Sequence, residues 1–148
     1  MMEPLISIQF VGNKSSYQAG ELLECDYQID AIDREELQAI EASVLWYTEG
    51  KGDEDMAVHY FERRVPADAE EEDLRRLRRL RTALPNSPRS YTGMILNIRW
   101  CVRVRVFLPR GRHAHLERPF QLGTPVGARL PPPVPPPAWL PASHQVRT

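Results

Sequence analysis

Residues 98–108 read IRWCVRVRVFL, and this stretch decides the fold class. Apolar side chains occupy every second position, and Arg99, Cys101, Arg103 and Arg105 lie between them. A period of two is typical of a β-strand with one buried and one solvent-exposed face. The three arginines of the exposed face are candidates for binding nucleic acid or an acidic protein partner, or they are simply solvated.

The same alternation recurs along most of the chain and predicts six or seven strands around one core. A length of 148 residues fits a single domain. Half-buried strands separated by turns indicate an antiparallel β-sandwich. The predicted strands are LISIQF (5–10), LLECDYQIDA (22–31), AIEASVLWYTEG (39–50), MAVHYFERRV (56–65), MILNIRWCVRVRVFL (94–108) and LERPFQLG (116–123).

The two cysteines fall on opposite sides of their predicted strands. Cys25 shares its parity with apolar residues, whereas Cys101 lies between Trp100 and Val102. One side chain therefore points inward and the other outward, which argues against a disulfide.

Residues 68–80 are predicted to form the one short helix, with a loop as the alternative. Glu71 and Arg75 are spaced four apart, with acids early and bases late, as the helix dipole favours. Leucines at 74, 77 and 80 form a narrow apolar stripe. The end of this region, RTALP (81–85), is alternatively a strand. The arginines of the segment are candidates for binding a partner: Arg75, Arg76, Arg78 and Arg79.

Charge is divided unevenly between the two halves of the chain. Residues 1–73 hold 19 acids and five bases, a net charge of −14, whereas residues 74–148 hold 14 bases and one acid, a net charge of +13. Such asymmetry marks either a nucleic-acid-binding half or strands that interleave in one domain. The overall net charge of −1 favours interleaving.

Residues 124–148 differ in composition from residues 1–123, which form the predicted sandwich. They contain eight of the 14 prolines, which predicts an extended polyproline II or disordered tail. Arg129, Pro132 and Pro135 have the spacing of proline-rich ligands for aromatic-lined grooves. A tail with no ligand function explains the same composition, because so many prolines meet that spacing by chance.

No pattern in the sequence predicts catalysis. The chain has no glycine-rich phosphate loop and no local nucleophile motif. His113 and His115 share one parity and offer two metal ligands without a third. We therefore expect no enzyme activity, no cofactor and no metal.

Three segments resemble the arrestin superfamily, over residues 5–123. A turn of the form Tyr-x-x-Gly-Glu leads into a strand, a later strand ends in Trp46, and a Leu-Pro, Pro, Ser-Tyr-x-Gly segment leads into the long strand. The matching residues are Tyr17, Gly20, Glu21, Leu84, Pro85, Pro88, Ser90, Tyr91, Gly93, Ile98, Arg99, Trp100, Val102 and Val104.

The resemblance implies an all-β, immunoglobulin-like antiparallel β-sandwich of the arrestin-domain type, used as an adaptor surface without an active site. Arrestins carry two such sandwiches, so this chain resembles half of one. The cleft between domains, the phosphate-sensing polar core and the ligase-recruiting motifs are not matched here. Receptor desensitisation and ligase recruitment are therefore not implied.

The leading functional hypothesis is a non-catalytic adaptor or scaffold that binds a protein through its sheet faces, its edges or its proline-rich tail. The expected partner is acidic or membrane-associated, and a homodimer is an alternative. A nucleic-acid-binding protein using the arginines is the second hypothesis, although stacking aromatic residues are scarce beside them. No apolar run is long enough to span a membrane and the N-terminus lacks signal-peptide features, so we expect a cytoplasmic protein.

Overall fold

The computed structural model describes residues 3–51, 54–66, 73–94 and 96–123. Strands dominate this part of the chain, and three short 3-10 helices lie at Val11–Asn13, Arg34–Glu36 and Pro109–Gly111. The strands are β1 (Leu5–Phe10), β2 (Ser16–Tyr17), β3 (Leu22–Asp30), β4 (Ala39–Gly50), β5 (Met56–Arg64), β6 (Arg78–Ala83), β7 (Tyr91–Thr92), β8 (Leu96–Phe107) and β9 (His113–Leu122).

The strands form two sheets, which confirms the predicted all-β sandwich. The smaller sheet has the order β1-β3-β6, and the larger has the order β2-β9-β8-β4-β5, with β7 also paired to β8. Neighbours are antiparallel except for β2, which runs parallel to β9. The longest pairing joins β4 and β8 over 12 residue pairs, from Ala39 with Phe107 to Gly50 with Leu96.

The core lies between the sheets and is built by the alternation seen in the sequence. From β8, Trp100 and Val102 point inward and are at most 1% exposed. Aromatic rings close one end of the core, with centroids 5.6–6.1 Å apart, which is the separation that aromatic pairs prefer. These rings belong to Phe10, Tyr17, Trp100 and Phe120.

Several residues that carry the resemblance to arrestins form hydrogen bonds that hold the turns of this fold together. Gly20 has a φ of 81°, which favours glycine, and its N–H donates to the Leu84 carbonyl at 2.9 Å. The Leu84 N–H returns a bond to the Glu21 carbonyl at 2.9 Å. Trp100 Nε1 donates to the Pro88 carbonyl at 2.7 Å. These bonds tie the turn before β3 to the end of β6, and the segment that follows β6 to β8.

The helix predicted for residues 68–80 is wrong where the structure describes it. Residues 78–83 form β6, residues 73–77 form a turn, and residues 67–72 lie outside the described part. Pairing with β3 overrides the local helix pattern, because Arg79 and Arg81 each meet an acid across the strands. Leu80 is buried by strand alternation, whereas Leu77 is 60% exposed.

The acidic and basic halves of the chain interleave, as the modest net charge predicts. Asp26 on β3 accepts from Arg79 Nε at 2.7 Å, and Glu24 accepts from Arg81 Nε at 2.8 Å. The hydrogen bond from Arg79 lowers the pKa of Asp26 below its ordinary value. Strands from the first half thus pair with strands from the second, and part of the charge asymmetry is neutralised internally.

Both cysteines are buried, although they point to opposite faces. Cys25 lies in the core and is 0% exposed, whereas Cys101 faces away from the core and is 2% exposed. On the neighbouring strands Cys101 is opposite Leu45 of β4 and Pro119 of β9. Strand alternation therefore fixes the side of the sheet but not the depth of burial.

We expect both thiols to resist modification in the folded protein. Burial raises the pKa of each thiol to about 12, so the reactive thiolate is scarce near pH 8. A thiol-specific chromogenic reagent should react with no thiol in the native protein and with both cysteines after denaturation. Leu22→Cys, at a position 46% exposed, should add one reactive thiol. Rapid native reaction of the unsubstituted protein would contradict the burial.

Candidate functional site

The arginines of β8 lie on the outer face of the larger sheet, the face directed away from the core. Arg99 Nε donates to Glu49 on β4 at 2.9 Å, and Arg103 Nε donates to Glu117 on β9 at 2.7 Å. Glu117 is directly opposite Arg103, and Glu49 lies two residues along β4 from Tyr47, the residue opposite Arg99. These two arginines are therefore already paired with carboxylates within the sheet.

Arg105 differs from the other two arginines of β8. Within the described residues it has no carboxylate within ion-pair distance, and its guanidinium carbon lies 5.8 Å from the centroid of the Phe107 ring. Arg63 from β5 approaches the same ring at 5.5 Å and also pairs with Glu41 at 2.6 Å. Cation–π contacts of this kind leave the positive charge of Arg105 available to an external anion.

An apolar strip lies on the same outer face, along β5. It consists of Met56, Val58 and Phe61, which are 55%, 48% and 51% exposed. Val58 is opposite Leu45 and Phe61 is opposite Ser43, and the register shifts between Val44 and Leu45. This bulge lets two residues three apart, Val58 and Phe61, share one face. The sequence gives no signal for it, because regular alternation puts these residues on opposite faces.

The inner side of β5 carries a hydrogen-bonded network centred on Glu62. The Tyr27 hydroxyl donates to Glu62 Oε2, and the Tyr60 hydroxyl donates to Oε1 at 2.7 Å. Arg64 Nε lies 3.5 Å from the same carboxylate. Burial, and then the bond to Glu62, raise the pKa of Tyr60 to about 12, and burial likewise raises the pKa of Tyr27. The group is a satisfied structural network that links the two sheets.

The candidate arginines before and within β6 are distributed rather than clustered into one site. Arg75 Nε donates to Asp73 at 3.0 Å, a bond that lowers the pKa of Asp73 to about 2. Arg76 is exposed and Arg78 is half-buried at the start of β6. Arg79 is paired with Asp26 on the outside of the smaller sheet. Arg75 and Arg76 thus lie in the turn before β6, and the arginines of β6 belong to a different sheet from those of β8.

The tail candidates Arg129, Pro132 and Pro135 lie outside the described residues.

The histidines do not assemble a metal site in the described part of the chain. His113 and His115 share the outer face of β9, opposite Phe107 and Arg105. His59 Nε2 lies 2.8 Å from the Ala83 carbonyl and is engaged in joining the sheets. Among the described residues, no three or more histidine, cysteine, aspartate or glutamate side chains are grouped as metal ligands.

Two adjoining open grooves run beside β9, on the side of the sandwich opposite β5. The larger, about 590 Å³, is lined by residues that include Phe10, Lys14 and Arg118. The smaller, about 320 Å³, includes Ser90 and Gln121, and Gln121 Oε1 is buried without a hydrogen-bond partner in the described structure. Neither groove gathers the acid, base and nucleophile that catalysis requires.

Comparison with known proteins supports the fold and leaves the function open. Spo0M, a sporulation control protein from Bacillus subtilis, is similar in structure, with a TM-score of 0.55 and 10% sequence identity. The likeness covers 80% of this chain and 49% of Spo0M, so the chain spans about half the length of that protein. No protein-family model and no curated protein sequence matches. The likeness is one of fold and agrees with the arrestin-type sandwich expected from the sequence.

The described residues include no helix long and apolar enough to cross a membrane.

Proposed function

We propose that this chain is a non-catalytic adaptor that binds an acidic protein partner on the outer face of the larger sheet. The observation that carries the proposal is the apolar strip beside arginines on one face. Three apolar side chains about half exposed lie two strands away from Arg105, whose charge has no carboxylate partner among the described residues. Exposed apolar groups bordered by charged residues are typical of protein interaction sites.

The ion pairs of Arg99 and Arg103 favour a protein, rather than a nucleic acid, as the binding partner. Binding to phosphates gains affinity by releasing the counterions that nucleic acid holds, and this requires free cations on the protein. Arg99 and Arg103 are already hydrogen-bonded to Glu49 and Glu117 at 2.9 and 2.7 Å. Phosphate binding on this face would leave those carboxylates beside the phosphates, which is unfavourable.

The proposed location is the cytoplasm. Both cysteines are free and buried, which suits a reducing compartment where thiols stay unpaired. The candidate residues of the tail, Arg129, Pro132 and Pro135, remain a second proposed contact for a partner with an aromatic-lined groove.

The proposal is tested by charge reversal on the outer face. Arg105→Glu should reduce recovery of a stoichiometric partner from source-cell extract by about tenfold or more, because it turns attraction into repulsion. Lys51→Glu is the matched control, since it makes the same charge change at an exposed position where the β4–β5 connection begins. Equal recovery with both variants would overturn the proposed surface.

Nucleic acid is tested separately with a mixed pool of single and double strands at low salt. We expect no retention that depends on salt concentration. Salt-dependent binding that Arg105→Glu abolishes would instead support the nucleic-acid hypothesis.

A further inference from the structure

We propose that two copies of this chain pair through the free edge of β5, forming a two-fold symmetric dimer with one sheet continuous across both copies. This inference does not rest on the proposed adaptor function. β5 is the last strand of the larger sheet and pairs only with β4 among the described residues. Its nine residues, MAVHYFERR, include no proline or lysine, and the charged residues are confined to its C-terminal end at Glu62–Arg64. Natural edge strands are protected by proline, lysine and other charges or a bulge, and along Met56–Phe61 the bulge is the one such device.

The order of side chains along β5 fits a second copy of itself. The outer face of the strand carries Met56, Val58, Phe61 and Arg63, each opposite an outer-face residue of β4. The bulge makes this order symmetric about the peptide between His59 and Tyr60. If β5 of a second copy pairs antiparallel about this point, each outer-face residue of one β5 lies opposite an outer-face residue of the other.

That register brings the apolar side chains together. Val58 of one copy comes opposite Phe61 of the other, and the symmetry makes this pair twice. A branched and an aromatic residue directly opposite each other form a favourable cross-strand pair. Both side chains are about half exposed in the single chain, at 48% and 51%, so pairing would cover apolar surface that water now contacts.

Charge along the strand also favours the antiparallel arrangement. The acids Glu54 and Asp55 precede β5, and Arg63 and Arg64 end it. In the antiparallel register the end of one copy that carries Arg63 and Arg64 comes opposite the end of the other copy that carries Glu54 and Asp55, at both ends of the interface. Parallel pairing would instead put like charges together. The strand is therefore complementary to itself, as a two-fold interface requires.

The register is tested by disulfide trapping between two separately purified variants, Val58→Cys and Phe61→Cys. Directly opposite residues are close enough for a disulfide, whereas positions displaced by three residues are not. Under mild oxidation the mixture should form covalent dimers at least about tenfold faster than either variant alone. The native cysteines are buried and do not compete. Equal rates in the mixture and in the single variants would overturn the register.

The association itself is tested by sedimentation equilibrium at micromolar concentrations. The unsubstituted chain should be dimeric, and Val58→Lys with Phe61→Lys should be monomeric with an unchanged circular dichroism spectrum. Leu22→Lys, at a similarly exposed apolar position on the smaller sheet, should remain dimeric. A monomeric wild-type chain at about 100 μM would overturn the proposal and indicate that the bulge alone protects this edge.

Failure here is distinguishable from failure of the adaptor proposal. Arg105 lies on β8, two strands from the free edge, so Arg105→Glu should leave the dimer intact. Val58→Lys with Phe61→Lys changes the apolar strip that both proposals use, so Arg105→Glu is the variant that separates them: loss of the partner with the dimer intact would support two distinct contacts.

Discussion

Trp100→Ala is expected to lower the free energy of unfolding by about 3–5 kcal/mol. The indole is 1% exposed, packs against Phe120 with ring centroids 5.8 Å apart, and donates to the Pro88 carbonyl at 2.7 Å. Removing the ring opens a cavity between the sheets and leaves that carbonyl without its donor. Urea denaturation followed by far-ultraviolet circular dichroism measures the loss.

Two further variants separate the components of this effect. Trp100→Phe retains an aromatic ring but removes the indole N–H, so it should cost less, about 1–3 kcal/mol. Leu22→Ala removes an apolar side chain that is 46% exposed and should change stability by no more than about 0.5 kcal/mol. If Trp100→Ala were as mild as Leu22→Ala, Trp100 would not be a central element of the core.

Glu62→Ala is expected to cost about 2–3 kcal/mol, the second-largest predicted effect. Its carboxylate accepts hydrogen bonds from the hydroxyls of Tyr27 and Tyr60, the second at 2.7 Å, and lies 3.5 Å from Arg64 Nε. The carboxylate is 15% exposed, so water replaces these bonds poorly after the substitution. Thermal and urea unfolding should both show the loss.

The control for Glu62 is a carboxylate that pairs with an arginine on the surface. Glu49→Ala breaks the contact with Arg99, in which the two side chains are 48% and 43% exposed, and should cost no more than about 1 kcal/mol. Glu62→Gln keeps an acceptor for one tyrosine and should fall between the two alanine variants. Equal costs for Glu62→Ala and Glu49→Ala would show that the tyrosine network contributes little.

Strands with regular alternation were predictable from sequence because each pattern is local. β8 and β3 place an apolar side chain inward at every second position, and the structure buries Trp100, Val102, Leu23 and Tyr27 accordingly. Pro119 lies in a part of β9 where β2 does not pair, since β2 meets β9 only at residues 121 and 122. A residue without an N–H is tolerated where no neighbouring strand needs that donor.

The errors arose where a distant strand decided the outcome. The segment around Arg79 has helical spacing, yet β3 offers acids at the matching positions and residues 78–83 extend as β6. Parity predicts the side of the strand on which Cys101 lies, but its burial arises in the assembled sheet, where it is opposite Leu45 of β4 and Pro119 of β9. Neither effect is present in the local pattern.

The candidate surface shows the same limit. Arg99, Arg103 and Arg105 were identified from their parity, and the structure places all three on one face. The apolar strip was missed because the bulge in β5 shifts the alternation between Val58 and Phe61. The outer face of the larger sheet is therefore a mixed surface, with arginines on β8 and an apolar margin along β5.

The sequence by itself determined that this chain forms a two-layer β structure, because alternation of apolar and polar side chains is a property of each strand alone. Only the tertiary structure decided which charges meet, which polar-face residues are covered and which edge stays open. Those outcomes depend on register between strands far apart in the chain, where a shift of one residue exchanges every partner. For this reason Arg99 and Arg103 pair with acids, whereas Arg105 has no carboxylate within ion-pair distance among the residues that the structure describes.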